Sequence, residues 1–228
     1  GIPGEVTVGY SGGDCSTRSW STTLSTGSIV SLQADTVSAV NISTNAAMGT
    51  VNVTAKATSG TNTIDVGNVI AGAVNFDAYS IQANAINANS FTVQDENGVG
   101  DANDLTLLGN LVSGTGVNLK VDNSLDVKDV TAATGNVSLT SSNSTVDSGN
   151  LTSTLGRVDV SANGQYTFVG DINASTGITL VGNGIAGSSN GDLFTTTGNI
   201  SVSAPTSGII SLGNLTTSAV GTITVTGT

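Results

Sequence analysis

The sequence predicts an all-β protein, a parallel β-helix (β-solenoid) of about ten coils with an N-terminal cap or joint segment. Three observations predict this fold. A short apolar–polar–apolar phrase returns about every 20 residues, Gly or Asn precedes most copies, and apolar spacing of helical period is nearly absent. A fixed period of this length is typical of repeat proteins in which each repeat stacks only on its neighbours.

The repeated phrase predicts one strand in each coil. Its copies begin 17 to 26 residues apart, at Val6, Val30, Val51, Val74, Phe91, Val117, Val137, Val158, Ile178, Ile200 and Ile223. Alternation along a strand sends the two apolar side chains inward and the central polar one outward. The central residues should therefore form one outward column with hydrogen bonds along it. The column runs Thr7, Ser31, Asn52, Asn75, Thr92, Asn118, Ser138, Asp159, Thr179, Ser201 and Thr224.

A second phrase, Gly-Asn or Gly-Asp followed by an apolar residue, lies midway through many repeats. Examples are Gly67-Asn68, Gly109-Asn110, Gly149-Asn150, Gly170-Asp171 and Gly213-Asn214. It predicts coils of two or three short strands joined at corners. Gly and Asn tolerate a left-handed backbone, which we expect at these corners. An antiparallel sandwich of short strands is the alternative fold.

Residues 1–28 depart from the repeat and contain the only Trp, Trp20, and the only Cys, Cys15. Because the ends of a solenoid need caps, we interpret 1–28 as an N-terminal cap or junction segment and 29–228 as the β-solenoid repeats. A lone Cys excludes an intramolecular disulfide, and both a buried thiol and a bridge between subunits remain open. The strand phrase at Ile223 predicts an open sheet edge near the C-terminus.

Composition excludes several function classes. Charged residues are 9% of the chain, and a net charge of −11 with five basic residues disfavours nucleic acid and anionic membrane surfaces as partners. No apolar run approaches the roughly 18 residues of a membrane span. The chain has no His, which excludes His-dependent catalysis and His-ligated metal sites. Because it begins at Gly1 rather than Met, we interpret it as a processed mature protein or an excised fragment.

The longest repeat contains an acidic insertion that is the best candidate metal site. It places oxygen ligands of the kind that Ca²⁺ prefers in a Gly-containing loop. The candidate ligands are Asp95, Asn97, Asp101, Asn103 and Asp104. The spacing departs from the EF-hand pattern, so a solvated acidic turn is the alternative. No other cofactor is predicted.

A second acidic group comprises Asp122, Asp126 and Asp129, with Lys128 beside them. Parallel β-helices include polysaccharide lyases and hydrolases that use outer-face carboxylates. Here the scarcity of basic residues and of aromatic platforms favours a polar outer face. We therefore predict that the protein is not an enzyme, and keep a polysaccharide-active enzyme as the least favoured alternative.

The chain also contains eight Asn-x-Ser/Thr sequons. Their asparagines are Asn41, Asn52, Asn136, Asn143, Asn150, Asn173, Asn199 and Asn214. A chain so rich in Asn, Ser and Thr produces about this many by chance, so the pattern alone predicts no glycosylation.

Three segments carry a family resemblance: Gly198-Asn199-Ile200-Ser201-Val202-Ser203-Ala204, Gly213-Asn214-Leu215 and Gly221-Thr222-Ile223-Thr224-Val225. They resemble repeats of the filamentous haemagglutinin-type exoproteins, and the similarity extends loosely over residues 29–228. The resemblance implies a right-handed parallel β-helix on a secreted fibrous adhesin or matrix protein. The family's amino-terminal secretion domain, with its Asn-Pro motifs, is not visible here.

The pattern and the resemblance together predict an extracellular structural protein at the cell surface. Its expected partner is itself, stacked head to tail into a filament or surface fibre such as a biofilm matrix component. The alternative is a stalk or passenger segment of a secreted adhesin that binds cells or cell-surface glycans. Neither hypothesis involves nucleic acid or membrane insertion.

Overall fold

The protein is an all-β parallel β-solenoid of about eight turns with an N-terminal strand segment. The computed structural model describes residues 5–9, 15–16, 29–34, 36–44, 48–55, 62–94, 104–187, 191–206 and 208–227. The turn count is lower than the predicted ten, whereas the fold class is confirmed. The described residues include no helix, and hence none long and apolar enough to cross a membrane.

The chain divides into two units, residues 1–112 and 113–228. The first unit contains β1 to β9, and the division falls within β10. Their bounds are β1 Glu5–Gly9, β2 Cys15–Ser16, β3 Ile29–Ala34, β4 Thr36–Ser43, β5 Thr50–Ala55, β6 Thr63–Asp77, β7 Ser80–Ala83, β8 Ile86–Gln94, β9 Asp104–Leu107 and β10 Leu111–Ser113.

The second unit repeats three short strands per coil. The strands are β11 Val117–Val121, β12 Leu125–Asp126, β13 Val130–Ala132, β14 Val137–Ser141, β15 Val146–Ser148, β16 Leu151–Ser153, β17 Arg157–Ala162, β18 Gln165–Phe168, β19 Ile172–Ala174, β20 Gly177–Val181, β21 Gly184–Gly187, β22 Leu193–Thr195, β23 Asn199–Ala204, β24 Ile210–Ser211, β25 Leu215–Thr217 and β26 Ile223–Gly227. Each strand pairs in parallel with the strand three positions later in the chain. The six-stranded sheet β11-β14-β17-β20-β23-β26 therefore forms one face of every coil in this unit.

The predicted register is confirmed within each unit. In the first unit Thr7, Ser31, Asn52, Asn75 and Thr92 pair in succession. In the second unit Asn118, Ser138, Asp159, Thr179, Ser201 and Thr224 pair in succession. The phrase fixes the register because a slip of one residue would turn both apolar side chains toward solvent.

The core is built of aliphatic columns. Val137, Val158, Ile178 and Ile200 succeed one another in register and are each at most 1% exposed. Full burial of such a side chain contributes about 1.5–3 kcal/mol. Because every coil repeats this contribution, the stability of the stack accumulates along the chain.

The expected left-handed backbone at the corners is wrong for the described glycines except Gly177, whose φ is 155°. The glycines instead leave space between coils. A Cβ on Gly135 would lie 2.6 Å from the Gly116 nitrogen, and one on Gly156 would lie 2.6 Å from the Gly135 carbonyl oxygen. The corners therefore select Gly because successive backbones approach too closely for any side chain.

The N-terminal segment contributes two described strands. β1 pairs in parallel with β3, and β2, which contains Cys15, pairs in parallel with β4. The other residues of 1–28, including Trp20, lie outside the described residues. The assignment of 1–28 as a cap or junction therefore stays a prediction.

Candidate functional site

The candidate calcium loop lies almost wholly outside the described residues. Asp95, Asn97, Asp101 and Asn103 belong to that part of the chain. Asp104 opens β9, where it pairs with Ser80 of β7. In the described part of the chain, no three His, Cys, Asp or Glu side chains are grouped so that they could hold a metal ion. The calcium site stays a prediction.

Two of the three carboxylates in the Asp122 group have local partners. Asp126 forms an exposed ion pair with Lys128 at 3.4 Å, and such surface pairs contribute little to stability. Asp129 accepts hydrogen bonds at its Oδ1 from the backbone N–H and the side-chain amide of Asn150, at 2.8 and 3.0 Å. Asp129 thus stabilises a corner.

The Asp129–Asn150 contact begins a ladder that follows one corner of the second unit. Its members are Asp129, Asn150, Asp171, Asp192 and Asn214, spaced 21 or 22 residues apart. At each step the side-chain Oδ1 of one residue accepts the backbone N–H of the next, at 2.7–3.0 Å. From the sequence, the Gly-Asn and Gly-Asp phrases predicted corners between strands and no ladder. The spacing of 21 or 22 residues between these Asp and Asn positions is the signal from which the ladder could have been predicted.

Hydrogen bonding lowers the pKa of one carboxylate in this ladder, that of Asp192. The backbone N–H of Asn214, followed by its side-chain amide, lowers the pKa of Asp192. Asn150 occupies an equivalent position with a neutral amide and still accepts the Asp171 N–H at 2.8 Å. Accepting the N–H therefore requires a side-chain oxygen but not a charge.

The predicted outward column forms side-chain contacts between coils. The Asn75 amide donates to Asn52 Oδ1 at 2.8 Å. Arg157 lies beside this column, and its guanidinium donates to Asp159 at 2.9 Å and to Thr179 Oγ1 at 2.8 Å. In the described part of the chain, side-chain hydrogen bonds thus join Asn52 to Asn75 directly and Asp159 to Thr179 through Arg157.

Tyr166 and Phe168 form an aromatic cluster in the core of the second unit. Tyr166 is fully buried, contacts Ser148 Oγ at 2.9 Å through its hydroxyl, and stacks on Phe168 with ring centroids 5.3 Å apart. Burial is the main cause that raises the pKa of Tyr166 far above its usual value. The Phe168 ring fills space left by Gly187, where an added Cβ would lie 2.7 Å from the ring.

Two shallow grooves flank the corner near Asn183. One, of about 340 Å³, is lined by hydroxyls, amides and small side chains: Thr140, Ser141, Ser142, Ser161, Ala162, Asn163, Val181, Gly182, Asn183 and Pro205. The other, of about 480 Å³, is lined by Gln165, Asn183, Gly184, Ala186 and Ile209. The lining residues of both grooves are uncharged, which suits a neutral polar ligand.

The end face formed by residues 209–227 is the most distinctive apolar surface of the second unit. Ile223 and Val225 pair in register with Ile200 and Val202. Ile200 and Val202 are at most 1% exposed, whereas Ile223 is 44% and Val225 is 49% exposed. These two side chains are therefore exposed at positions whose equivalents in the preceding strands of this sheet are buried.

Comparison of the chain with protein-family models, curated proteins and solved structures gave no match. The β-solenoid is accordingly the level at which the protein is classified.

Proposed function

We propose that this protein is an extracellular structural protein whose copies stack head to tail into a β-solenoid filament or surface fibre. The observation that carries the proposal is the exposed end face at Ile223 and Val225. A further parallel strand in the same register would cover both side chains, as β26 itself covers Ile200 and Val202. Covering apolar surface contributes about 25 cal/mol per Å².

The repeated phrase specifies the junction. In each unit the first residues of the phrase lie opposite one another, as Val6 lies opposite Val30 and Ile200 opposite Ile223. The same rule aligns Ile223 of one copy with Val6 of the next, so that β26 pairs with β1. β1 already pairs with β3 along one edge, and the incoming copy takes its other edge.

This geometry favours a filament over a closed dimer. The two surfaces at the junction differ, since one belongs to β26 and the other to β1, and heterologous contacts propagate. Unpaired strand edges are also strong templates for pairing with another chain. The resemblance to filamentous haemagglutinin-type repeats supports an extracellular, fibrous role, and the low charge supports lateral packing of such fibres.

Negative-stain electron microscopy of the purified, untagged protein tests the proposal, with and without Ca²⁺. Long uniform fibres are expected. The Ile223→Asp/Val225→Asp double variant should remain monomeric, because a charge at the junction would be buried without a partner. Both side chains are about half exposed in one copy, so the variant monomer should fold.

The matched control is Thr224→Asp, which places the charge on the same strand but on its outward face. It should still form fibres. Dispersed particles from the unaltered protein at high concentration would refute the proposal, as would fibres from the double variant. Circular dichroism of both variants would show that the remaining coils fold.

One observation favours the adhesin stalk as a second candidate. The 340 Å³ groove presents the hydroxyls of Thr140, Ser142 and Ser161 with the amide of Asn163, and its lining carries no charge. Such a groove suits a neutral glycan. Retention on immobilised neutral polysaccharides by a protein that remains monomeric, lost in Ser161→Ala/Asn163→Ala, would favour the stalk.

A further inference from the structure

The eight sequons follow the same sequence pattern, but their asparagine side chains differ in exposure and in hydrogen bonding. At six of them a side-chain oxygen or amide of the asparagine is hydrogen-bonded to a neighbouring coil. These six are Asn41, Asn52, Asn136, Asn150, Asn199 and Asn214. Asn150 and Asn214 donate through the Nδ2 atom to which a sugar would be attached. In the other four, the contact at Oδ1 fixes the orientation of the side-chain amide against the next coil.

Asn173 is held in a different way. It lies in the middle of β19, with Thr152 and Phe194 beside it in register on the adjacent strands. Its side chain is half-buried on the outer wall of the sheet. Because β19 is paired along both edges, the Asn173 backbone leaves the sheet only by local unfolding.

Asn143 combines exposure with an uncommitted side chain. It lies in the bend between β14 and β15, is exposed, and its amide forms no hydrogen bond within the described residues. The backbone around it is fixed, since the Asn143 N–H donates to the Asp122 carbonyl at 2.9 Å and the Ser144 N–H donates to Ser141 Oγ at 3.0 Å. The bend thus presents the side chain without using it.

The surface beside Asn143 has room for a sugar. The 340 Å³ groove is lined by Ser142, the residue before Asn143, and by Ser161 and Asn163 on the next coil. Its hydroxyls and amides can hydrogen-bond a neutral pyranose, and its lining carries no charge. A sugar attached at Asn143 would therefore lie against a polar surface.

We propose that Asn143, within Asn143-Ser144-Thr145, is the N-glycosylation acceptor of the folded protein. In this reaction the Asn143 Nδ2 forms a bond to the anomeric carbon of a sugar. The bond from that carbon to the phosphate of the sugar donor, a lipid pyrophosphate or a nucleoside diphosphate, breaks. The amide loses one proton and the released phosphate carries away the bonding electron pair. Such modifications are bulky, solubilising and confined to the surface.

The test uses the folded full-length chain, a soluble N-glucosyltransferase and UDP-glucose as donor, with sites mapped by peptide mass spectrometry. The rate at each sequon is divided by the rate of the same sequon in a synthetic peptide, which removes the enzyme's own sequence preference. Asn143 should be labelled at least about tenfold faster than any other sequon on this scale. The other sequons must first give up a side-chain contact between coils or, within a strand, open locally.

Two variants control the assignment. Asn143→Gln should abolish the main product, and Asn173→Gln should leave it unchanged. Comparable normalised labelling at Asn150, Asn173 or Asn214 would overturn the proposal. So would absence of labelling at Asn143 in the folded chain when its peptide is labelled. The melting temperature of the singly glucosylated chain should equal that of the unmodified chain, and a lower value would also count against it.

Discussion

Asp192 Oδ1 accepts the backbone N–H of Asn214 at 2.7 Å, one coil further along the second unit. The same oxygen and its partner Oδ2 also receive the Asn214 side-chain amide, at 3.1 and 3.2 Å. One carboxylate thus joins two coils at a corner, and its charge is supported by donors that point at it. Because the contact recurs along the ladder, the corner is stabilised by side chains as well as by strand pairing.

This contact predicts a pH dependence of stability. The pKa of Asp192 is lowered in the folded chain from its ordinary value of 3.8. A lowered folded pKa contributes stability above pH 3.8, which is lost as the pH falls through the lower, folded pKa. Asp192→Asn keeps an oxygen that accepts the Asn214 N–H, so the melting temperature should fall less steeply below pH 3.8. Asp192→Ala removes the acceptor and should lower the melting temperature at neutral pH also. Thermal melts from pH 2 to 7 check this, and an unchanged acid limb in Asp192→Asn would contradict it.

Asn150 tests the ladder without a change of charge. It donates its amide to Asp129 and accepts the Asp171 N–H. Asn150→Ala should lower the free energy of unfolding by about 1–3 kcal/mol, because it removes both hydrogen bonds and each contributes about 0.5–1.5 kcal/mol. Asn143→Ala, at an exposed side chain with no such contacts, is the control and should leave it unchanged. Urea denaturation measures both.

Gly198 and Gly184 allow a test of how closely successive coils approach, with Gly198 as the crowded position and Gly184 as its control. A Cβ on Gly198 would collide with the Thr176 carbonyl oxygen, whereas one on Gly184 would lie 3.7 Å from the nearest atoms, in ordinary contact. Gly198→Ala should cost about 1–3 kcal/mol through overpacking. Gly184→Ala should be near neutral. Equal stability of the two variants in urea would show that the corner has room to adjust.

The buried hydroxyl of Tyr166 should make the free energy of unfolding fall at alkaline pH. Burial is the main cause that raises its pKa above the ordinary value of 10.0. The folded state therefore loses stability as the pH rises above 10, where the tyrosine of the unfolded chain ionises first. Tyr166→Phe should remove this alkaline dependence, at a cost of about 0.5–1.5 kcal/mol at neutral pH for the lost Ser148 hydrogen bond. Unfolding curves between pH 8 and 11 measure both effects, and an alkaline limb that persists unchanged in Tyr166→Phe would refute the assignment.

The proposed junction register predicts a specific crosslink. Pairing of Ile223 with Val6 of the next copy places Thr224 opposite Thr7, about 4.8 Å apart on adjacent strands. This lies within the Cα range of disulfides. In a Cys15→Ser background, Thr7→Cys/Thr224→Cys should give a ladder of covalent multimers on oxidation. Thr7→Cys/Ser138→Cys is the control and should give none, and multimers in the control alone would exclude this register.

The calcium hypothesis predicts a ligand-dependent thermal shift. Ca²⁺ should raise the melting temperature and EDTA should reverse the change, because binding to the folded state alone stabilises it. Asp95→Asn/Asp101→Asn should abolish the shift. Asp65→Asn, at an exposed position on the outer wall, should preserve it. A shift that is absent from the unaltered protein, or retained in the double variant, would rule out the site.

The register was predictable because it depends on a local pattern. Val137, Val158 and Ile178 each begin a copy of the phrase, and period-two alternation allows only one in-register stack that buries them all. The ladder from Asp129 to Asn214 could be predicted only in part from the sequence. The sequence shows the spacing, but whether Oδ1 caps a neighbouring coil depends on side-chain direction and on the distance between coils.

The sequence by itself thus determined the all-β solenoid, the strand phrase and its outward column, since these follow from periodicity and burial. Only the tertiary structure decided how the glycines are used and which asparagine side chains form contacts between coils. The reason is physical: these properties depend on contacts between residues about 20 positions apart, such as Gly156 against Gly135. A turn residue looks the same in sequence whether it relieves backbone strain, makes room for a neighbouring coil or, like Asn143, keeps its side chain free.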